Sequence, residues 1–176
     1  MGVSTNAQLC FGVALPEIDD DLLPWHTEDN WDVTDWWRKL NGCPQSDVPW
    51  DIKEGDMGYF SIWPDGRKVT DLERKSFYDQ RDAWDREHPC PVEEVSHCSD
   101  DYPMYILAVP GTVTVARRGY TETIECLPLV SAEKLLPFYA LLQKHVAPLI
   151  EDWLDENGEI DTTEWAAHWI LSSFWG

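Results

Sequence analysis

The strongest hydrophobic pattern in this chain is a run of six apolar residues at positions 104–109, which a proline bounds on each side. The run is shorter than an average helix and rich in residues that suit a buried strand, so it predicts a central β-strand. Pro110 and Gly111 form a turn signal, because proline presets one turn dihedral and glycine accepts a positive one. The alternation over 112–116 then predicts the second strand of a hairpin, closed by another turn at 117–120.

Further strands are predicted at residues 7–15, 92–98 and 121–127, where apolar and β-branched residues cluster. The end of the chain, 165–175, has a composition that suits either a helix or a strand. We favour a strand there, packed beside the central hairpin. Residues 43–66 contain several prolines and a turn pair, so that stretch is expected to be a long loop or a set of irregular turns.

Three helices are indicated by capping signals. Thr34 can cap a short helix through Leu40, and Thr70 with Glu73 forms a capping box for a helix that runs to about Glu87. The buried face of the second helix is expected to hold Leu72, Phe77 and Trp84.

A third helix follows Ser131, which can cap it, and should be kinked or divided by Pro137 and Pro148. Its buried side is expected to hold Leu135, Phe138, Leu142 and Val146. These elements predict an α+β fold, a mainly antiparallel sheet with two or three helices packed on one face, in a single domain over residues 1–176.

The charge of the chain restricts its partners. The 33 acidic residues outnumber the 13 lysines and arginines, which gives a formal charge of −20. Such a charge disfavours direct binding to nucleic acid or an anionic membrane and favours basic protein surfaces or cations. The 11 tryptophans and 43% hydrophobic content argue against disorder. Without an apolar stretch long enough to span a bilayer, we expect a soluble cytoplasmic protein; its oligomeric state is not predicted.

Eight of the acidic residues fall in residues 17–35, called the acidic segment here, which contains no lysine or arginine. The segment is either a solvated loop or a negatively charged surface with aromatic side chains that fix a partner. In the second interpretation the partner-binding residues are Asp19, Asp20, Asp21, Trp25, Glu28, Asp29, Trp31 and Asp32.

Four stretches carry a distinctive combination of residues: STNAQLCFGV, DWWRKLNG, HCSDDYPMYILAVPGTVTVARRGY and WILSSFWG. Together they resemble a family of uncharacterised small proteins encoded by bacteriophages and prophages. The resemblance covers the two ends and the centre of the chain, but neither residues 43–66 nor 151–164. It implies an accessory phage gene, of a kind that often acts against host proteins or host defence, as anti-CRISPR proteins do. It brings no catalytic residue with it.

Two groups of residues have the chemistry of metal ligands. Residues 155–164 resemble a calcium-binding loop in which Asp155, Asn157, Asp161 and Glu164 would supply oxygens. The first ligand position is Trp153, which has no oxygen, so an acidic turn at residues 157–158 is the alternative. A zinc site is the other possibility, with soft ligands that lie close in sequence but lack the usual spacing: His88, Cys90, His97 and Cys98.

Other features give weaker indications. The five cysteines lack tight spacing and are expected to be reduced. Arg117 and Arg118 either pair with surface carboxylates or form an anion site. The motifs of common enzyme classes are absent from the sequence.

Two functions of different classes therefore remain open. The first is a binding module that inhibits a host nucleic-acid-binding or defence protein by nucleic-acid mimicry. The second is a small metal-dependent enzyme or a calcium-binding protein.

Overall fold

The structure is a computed structural model that describes residues 5–16, 22–27, 32–55, 58–99, 103–116, 127, 129–150, 154, 157–158, 161 and 166–175. It divides into two compact units, each described by itself below. The first unit comprises Met1–Val33 and Pro91–Gly176, and the second comprises Thr34–Cys90. That the chain is one domain stays a prediction.

In the residues that the structure describes, the first unit is built on a sheet of five strands. Their bounds are β1 Thr5–Ala14, β4 Glu93–Ser99, β5 Pro103–Ala108, β6 Thr114–Ala116 and β7 His168–Trp175. One edge of β1 pairs with β7, and the other edge pairs first with β6 and then with β5. Because β4 pairs with both β5 and β7, the pairings of the four longest strands close on themselves. All pairs are antiparallel except β4 with β7, so the predicted α+β fold with mainly antiparallel sheets is confirmed.

The central position of β5 follows from its two partners. Pairing with β4 and β1 uses both of its edges, and Leu107 lies opposite Glu94 on one side and Val13 on the other. Residues from both faces of the strand are buried, which explains the continuous apolar run in the sequence. The predicted central strand is therefore confirmed.

The predicted hairpin between β5 and β6 is wrong. Gly111 adopts the expected positive φ of 75°, but the chain then leads β6 to β1, where Thr114 lies opposite Leu9. The physical reason is that β4 and β1 already occupy the two edges of β5. The predicted second turn at 117–120, which includes Arg117 and Arg118, lies outside the described residues. So does the predicted strand at 121–127, except for position 127.

Strands β1 and β5 approach each other closely at Gly12, which lies opposite Ala108. A Cβ atom at this position would lie 2.1 Å from the carbonyl oxygen of Leu107 and 2.7 Å from the Cα of Ala108. Only glycine leaves room for that approach. Beside it, Cys10, Val95, Ile106 and Ala108 form a buried cluster.

Helix α3, Ala132–His145, belongs to the same unit and is followed by a 3-10 helix, Ala147–Leu149. Its buried residues are Phe138, Leu141 and Leu142, and Val146 beyond its end is also buried. The helix is not divided at Pro137, whereas Pro148 lies in the separate 3-10 helix. The favoured strand at the end of the chain is confirmed as β7, but its neighbours are β1 and β4 rather than β5 and β6.

The second unit contains strands β2 (Asp51–Gly55) and β3 (Gly58–Ile62) and helix α2 (Asp71–Glu87). It also contains helix α1 (Val33–Leu40), whose first residue is the last residue of the first unit's N-terminal stretch. Helix α1 begins one residue before the predicted cap Thr34, and a positive φ at Gly42 follows its end. Strands β2 and β3 form an antiparallel hairpin. The prediction of a long loop or irregular turns over 43–66 is therefore wrong for Asp51–Gly55 and Gly58–Ile62, because the prolines flank the hairpin and do not interrupt its strands. Turns and bends do occupy residues 43–50 and 63–66.

Helix α2 begins as predicted. The side chain of Thr70 accepts from the Glu73 backbone, and the Glu73 side chain accepts from the Thr70 backbone, which is the predicted capping box. The expected buried position of Leu72 is wrong, since this residue is 80% exposed. Five positions along a helix rotate the side chain by about 140°, so Leu72 and Phe77 cannot share one face.

Two groups of contacts hold the second unit together. The first is aromatic, with Trp50 in edge contact with Trp63, Phe77 and Tyr78. The second is ionic, with Arg38 donating through two nitrogens to Asp85, at 2.9 and 2.7 Å, and also to Asp35. These hydrogen bonds raise the pKa of Arg38 above its ordinary value and offset the cost of burying its guanidinium.

Candidate partner-binding segment

The middle of the acidic segment is part of the core of the first unit. Residues 22–27 include three side chains that are almost fully buried, those of Leu23, Trp25 and His26. A turn holds them together, with the His26 backbone N–H donating to the Leu23 carbonyl at 2.9 Å. We call residues 22–27 the buried turn.

Glu94 on β4 fastens the buried turn to the sheet. Its side chain accepts a hydrogen bond from the Trp25 indole, and both carboxylate oxygens lie 3.0 Å from Nε2 of His26. The imidazole also meets Tyr105 edge-on, with ring centroids 4.9 Å apart. An ionised carboxylate can only accept, so Nε2 of His26 carries the hydrogen in this contact.

The place of Glu94 follows from strand geometry. Glu94 lies directly opposite Leu107, and Tyr105 is two residues from Leu107, so all three side chains lie on one face of the sheet. The Glu94 side chain keeps only 14% of its surface exposed. A carboxylate this enclosed requires donors, and Trp25 and His26 supply them.

Trp25 therefore has a different role from the one predicted. We expected it to contact a partner, but it is 0% exposed, so it cannot be part of a binding surface in this structure. Trp25 can be buried because its indole N–H donates a hydrogen bond to the Glu94 carboxylate inside the fold. Of the other predicted partner-binding residues, Asp32 is exposed directly before α1. The remainder lie outside the described residues: Asp19, Asp20, Asp21, Glu28, Asp29 and Trp31.

The buried turn separates the acidic residues of the acidic segment into two groups, one before residue 22 and one after residue 27. Asp21 directly precedes the turn in the chain and Glu28 directly follows it. Acidic residues therefore flank the buried turn in the chain on both sides. Sequence reasoning missed this arrangement, although the run LLPW inside an otherwise acidic stretch was a signal for a core contact.

The negative charge is unevenly shared between the two units. The first unit contains 21 acidic and four basic residues, a formal charge of −17, whereas the second contains 12 and nine, a formal charge of −3. In the described part of the second unit, the basic side chains that form ion pairs with carboxylates include Arg38, Lys39, Arg67, Lys75 and Arg81. The excess negative charge therefore belongs to the first unit.

The predicted calcium loop falls mostly outside the part of the chain that is described. Asp155 and Glu164 lie outside it, Asn157 is exposed and Asp161 is half-buried. Gly158 has a φ of 75°, as a tight turn requires, and its carbonyl accepts from Gln143 at 2.8 Å. The calcium site stays a prediction.

Three of the four predicted zinc ligands have described side chains. His88 stacks on Trp84 with ring centroids 4.4 Å apart, and Cys90 is a half-buried cysteine that is not in a disulfide. Burial lowers the pKa of His97, which favours its neutral form. The side chain of Cys98 is outside the described set. Among the side chains that are described, no group of three or more histidine, cysteine or acidic residues is placed to hold a metal ion.

Comparison with known proteins found no match to this chain among protein-family models, curated proteins or solved structures. In the described part of the chain, no helix has both the length and the apolar character needed to cross a membrane.

Proposed function

We propose that this chain is a phage-encoded, acidic protein-binding module that inhibits a host nucleic-acid-binding or defence protein by imitating the charge of a nucleic acid. The observation that carries this proposal is the formal charge of −17 on the first unit. A partner with a basic surface would be attracted to that unit as it is to a phosphate backbone. The site of action would be the host cytoplasm.

The acidic segment is the proposed source of the attraction. Its carboxylates contribute mainly to the rate of association, because exposed charges act before contact and release their counterions on binding. At about 0.15 M salt the reach of such charges is limited to roughly 8 Å. The attraction should therefore be strong at low salt and weak at high salt.

The test is a kinetic comparison with a host protein that the chain captures from a bacterial extract. Replacing Asp19, Asp20 and Asp21 with asparagine should slow association and flatten its dependence on salt between about 0.05 and about 0.3 M. A matched control replaces three exposed aspartates of the second unit with asparagine, namely Asp51, Asp71 and Asp82. The control removes the same charge and should change association much less. Equal association rates for the wild type and the first variant at low salt would contradict the proposal.

A further inference from the structure

Four apolar side chains share one face of β1 and β7, where Leu171 is exposed and Leu9, Phe11 and Trp169 are half-buried. Leu9 lies directly opposite Leu171, and Phe11 lies directly opposite Trp169. Directly opposed residues of antiparallel strands point to the same face, and residues two apart on a strand do as well. The rings of Phe11 and Trp169 meet edge-on with centroids 5.5 Å apart. We call this surface the Trp169 face.

The Trp169 face continues from the core of the first unit. Val13, two residues beyond Phe11, is 2% exposed. Near the start of β7, Tyr139 of α3 accepts a hydrogen bond from the Ala167 backbone at 2.7 Å, so the helix lies close to that end of the strand. Farther along β7 the protection ends, and Leu171 is 72% exposed. An apolar core layer thus extends to the surface.

Helix α3 carries another exposed apolar side chain. Leu136 is 72% exposed and lies three positions before Tyr139, on the same side of α3. Isolated exposed leucines are common on proteins and need no explanation. A cross-strand set of two leucines and two aromatic rings is a different case, because contiguous apolar patches mark interaction sites.

We propose that the Trp169 face is the contact surface for a basic protein with apolar residues at the centre of its binding site. This inference rests on the proposed function and adds the apolar contact that Trp25 cannot supply. The charge of the chain selects this occupant. A second copy would bring together two chains of formal charge −20, and an anionic membrane would be repelled in the same way. A basic surface would be attracted.

The two parts of such an interface have separable effects. Surface charge mainly sets the rate of association, whereas desolvated apolar and aromatic contacts mainly set the rate of dissociation. Loss of the contact that Leu171 would bury in the complex should speed dissociation by about ten- to a hundred-fold. The same loss should leave the association rate and its salt dependence almost unchanged.

The experiment uses the full chain and a defined set of basic proteins, those that a heparin column retains from a bacterial extract. The protein that the immobilised wild type captures is purified, and its binding kinetics are measured against Leu171→Ser and the matched control Leu72→Ser. Leu72 is also an exposed leucine but lies in the second unit. A second variant, Leu171→Lys, opposes the partner's charge. Thermal melts establish that all variants are folded, and sedimentation velocity measures self-association.

We expect a monomer, fast dissociation for both Leu171 variants, and kinetics like the wild type for Leu72→Ser. If the Leu171 variants bind like the wild type while the triple asparagine variant associates slowly, the Trp169 face is refuted and the proposed function stands. If the triple variant also binds like the wild type, both fail. A wild-type dimer that Leu171→Ser abolishes would assign the face to a second copy and overturn the inference. Failure to capture any heparin-retained protein would contradict both proposals.

Discussion

Substitution of Leu107 by alanine tests the central place of β5 in the fold. Leu107 is 0% exposed and lies between β1 and β4, opposite Val13 and Glu94. Full burial of a leucine side chain contributes about 1.5–3 kcal/mol, and truncation adds the cost of the cavity that remains. Because the strand is held on both edges, the surroundings cannot easily collapse into that cavity. We expect the free energy of unfolding to fall by about 2–5 kcal/mol.

The matched control is Leu171→Ala, a leucine on β7 that is 72% exposed. Since little of its side chain is removed from water, this change should cost less than about 1 kcal/mol. Urea unfolding followed by circular dichroism and tryptophan fluorescence would measure both values. A loss below about 1 kcal/mol for Leu107→Ala, or equal losses for the two variants, would refute the central position of β5.

Three further predictions concern local features. Gly12→Ala should destabilise the chain in a urea melt by about 1–3 kcal/mol or more, because the new Cβ would overlap the Leu107 carbonyl. Hydrogen bonds from Thr70 lower the pKa of Glu73 to about 2 from 4.5, so the stability advantage of wild type over Glu73→Gln should be full above pH 4.5 and vanish as the pH falls to about 2. Burial raises the pKa of Cys10 to about 11, so mass spectrometry should find that it alkylates more slowly than Cys90 at pH 8.

Each of these three predictions has a contrary outcome. Wild-type stability in Gly12→Ala would show that β1 and β5 do not approach closely. A difference between wild type and Glu73→Gln that is independent of pH would show that the Glu73 carboxylate is not held by the capping box. Equal alkylation rates for the two cysteines would place the Cys10 thiol at the surface.

Where local signals decide structure, the sequence was a reliable guide. Helix α2 begins at its capping box because Thr70 and Glu73 satisfy each other's backbone within four residues. Strand β5 was recognisable because burial of both faces leaves an uninterrupted apolar run. These features require no knowledge of distant partners.

Where distant contacts decide structure, the sequence was misleading. Strand β6 follows a good turn signal but pairs with β1, about a hundred residues earlier in the chain, because β5 has no free edge. Hairpin β2–β3 was hidden by flanking prolines, and the sequence between its strands, Asp56-Met57, is not one of the common two-residue turn signals.

In the candidate site, too, the features that depend on local sequence could be predicted and those that depend on distant contacts could not. Its negative charge could be predicted from composition, since charge does not depend on folding. The role of Trp25 could not, because its partner Glu94 is 69 residues away in the chain. The Trp169 face was equally inaccessible, since it exists only through the register of β1 with β7. Alternation within one strand does not reveal which residues of another strand complete a surface.

The most direct test of the account is competition for the captured host protein between the chain and a labelled DNA duplex. If the first unit imitates a phosphate backbone, fluorescence anisotropy should show that the wild-type chain displaces the duplex, and that the variant with asparagine at Asp19, Asp20 and Asp21 displaces it less well at low salt. The second-unit control variant should compete like the wild type. A ternary complex, in which the duplex stays bound while the chain binds as well, would contradict nucleic-acid mimicry.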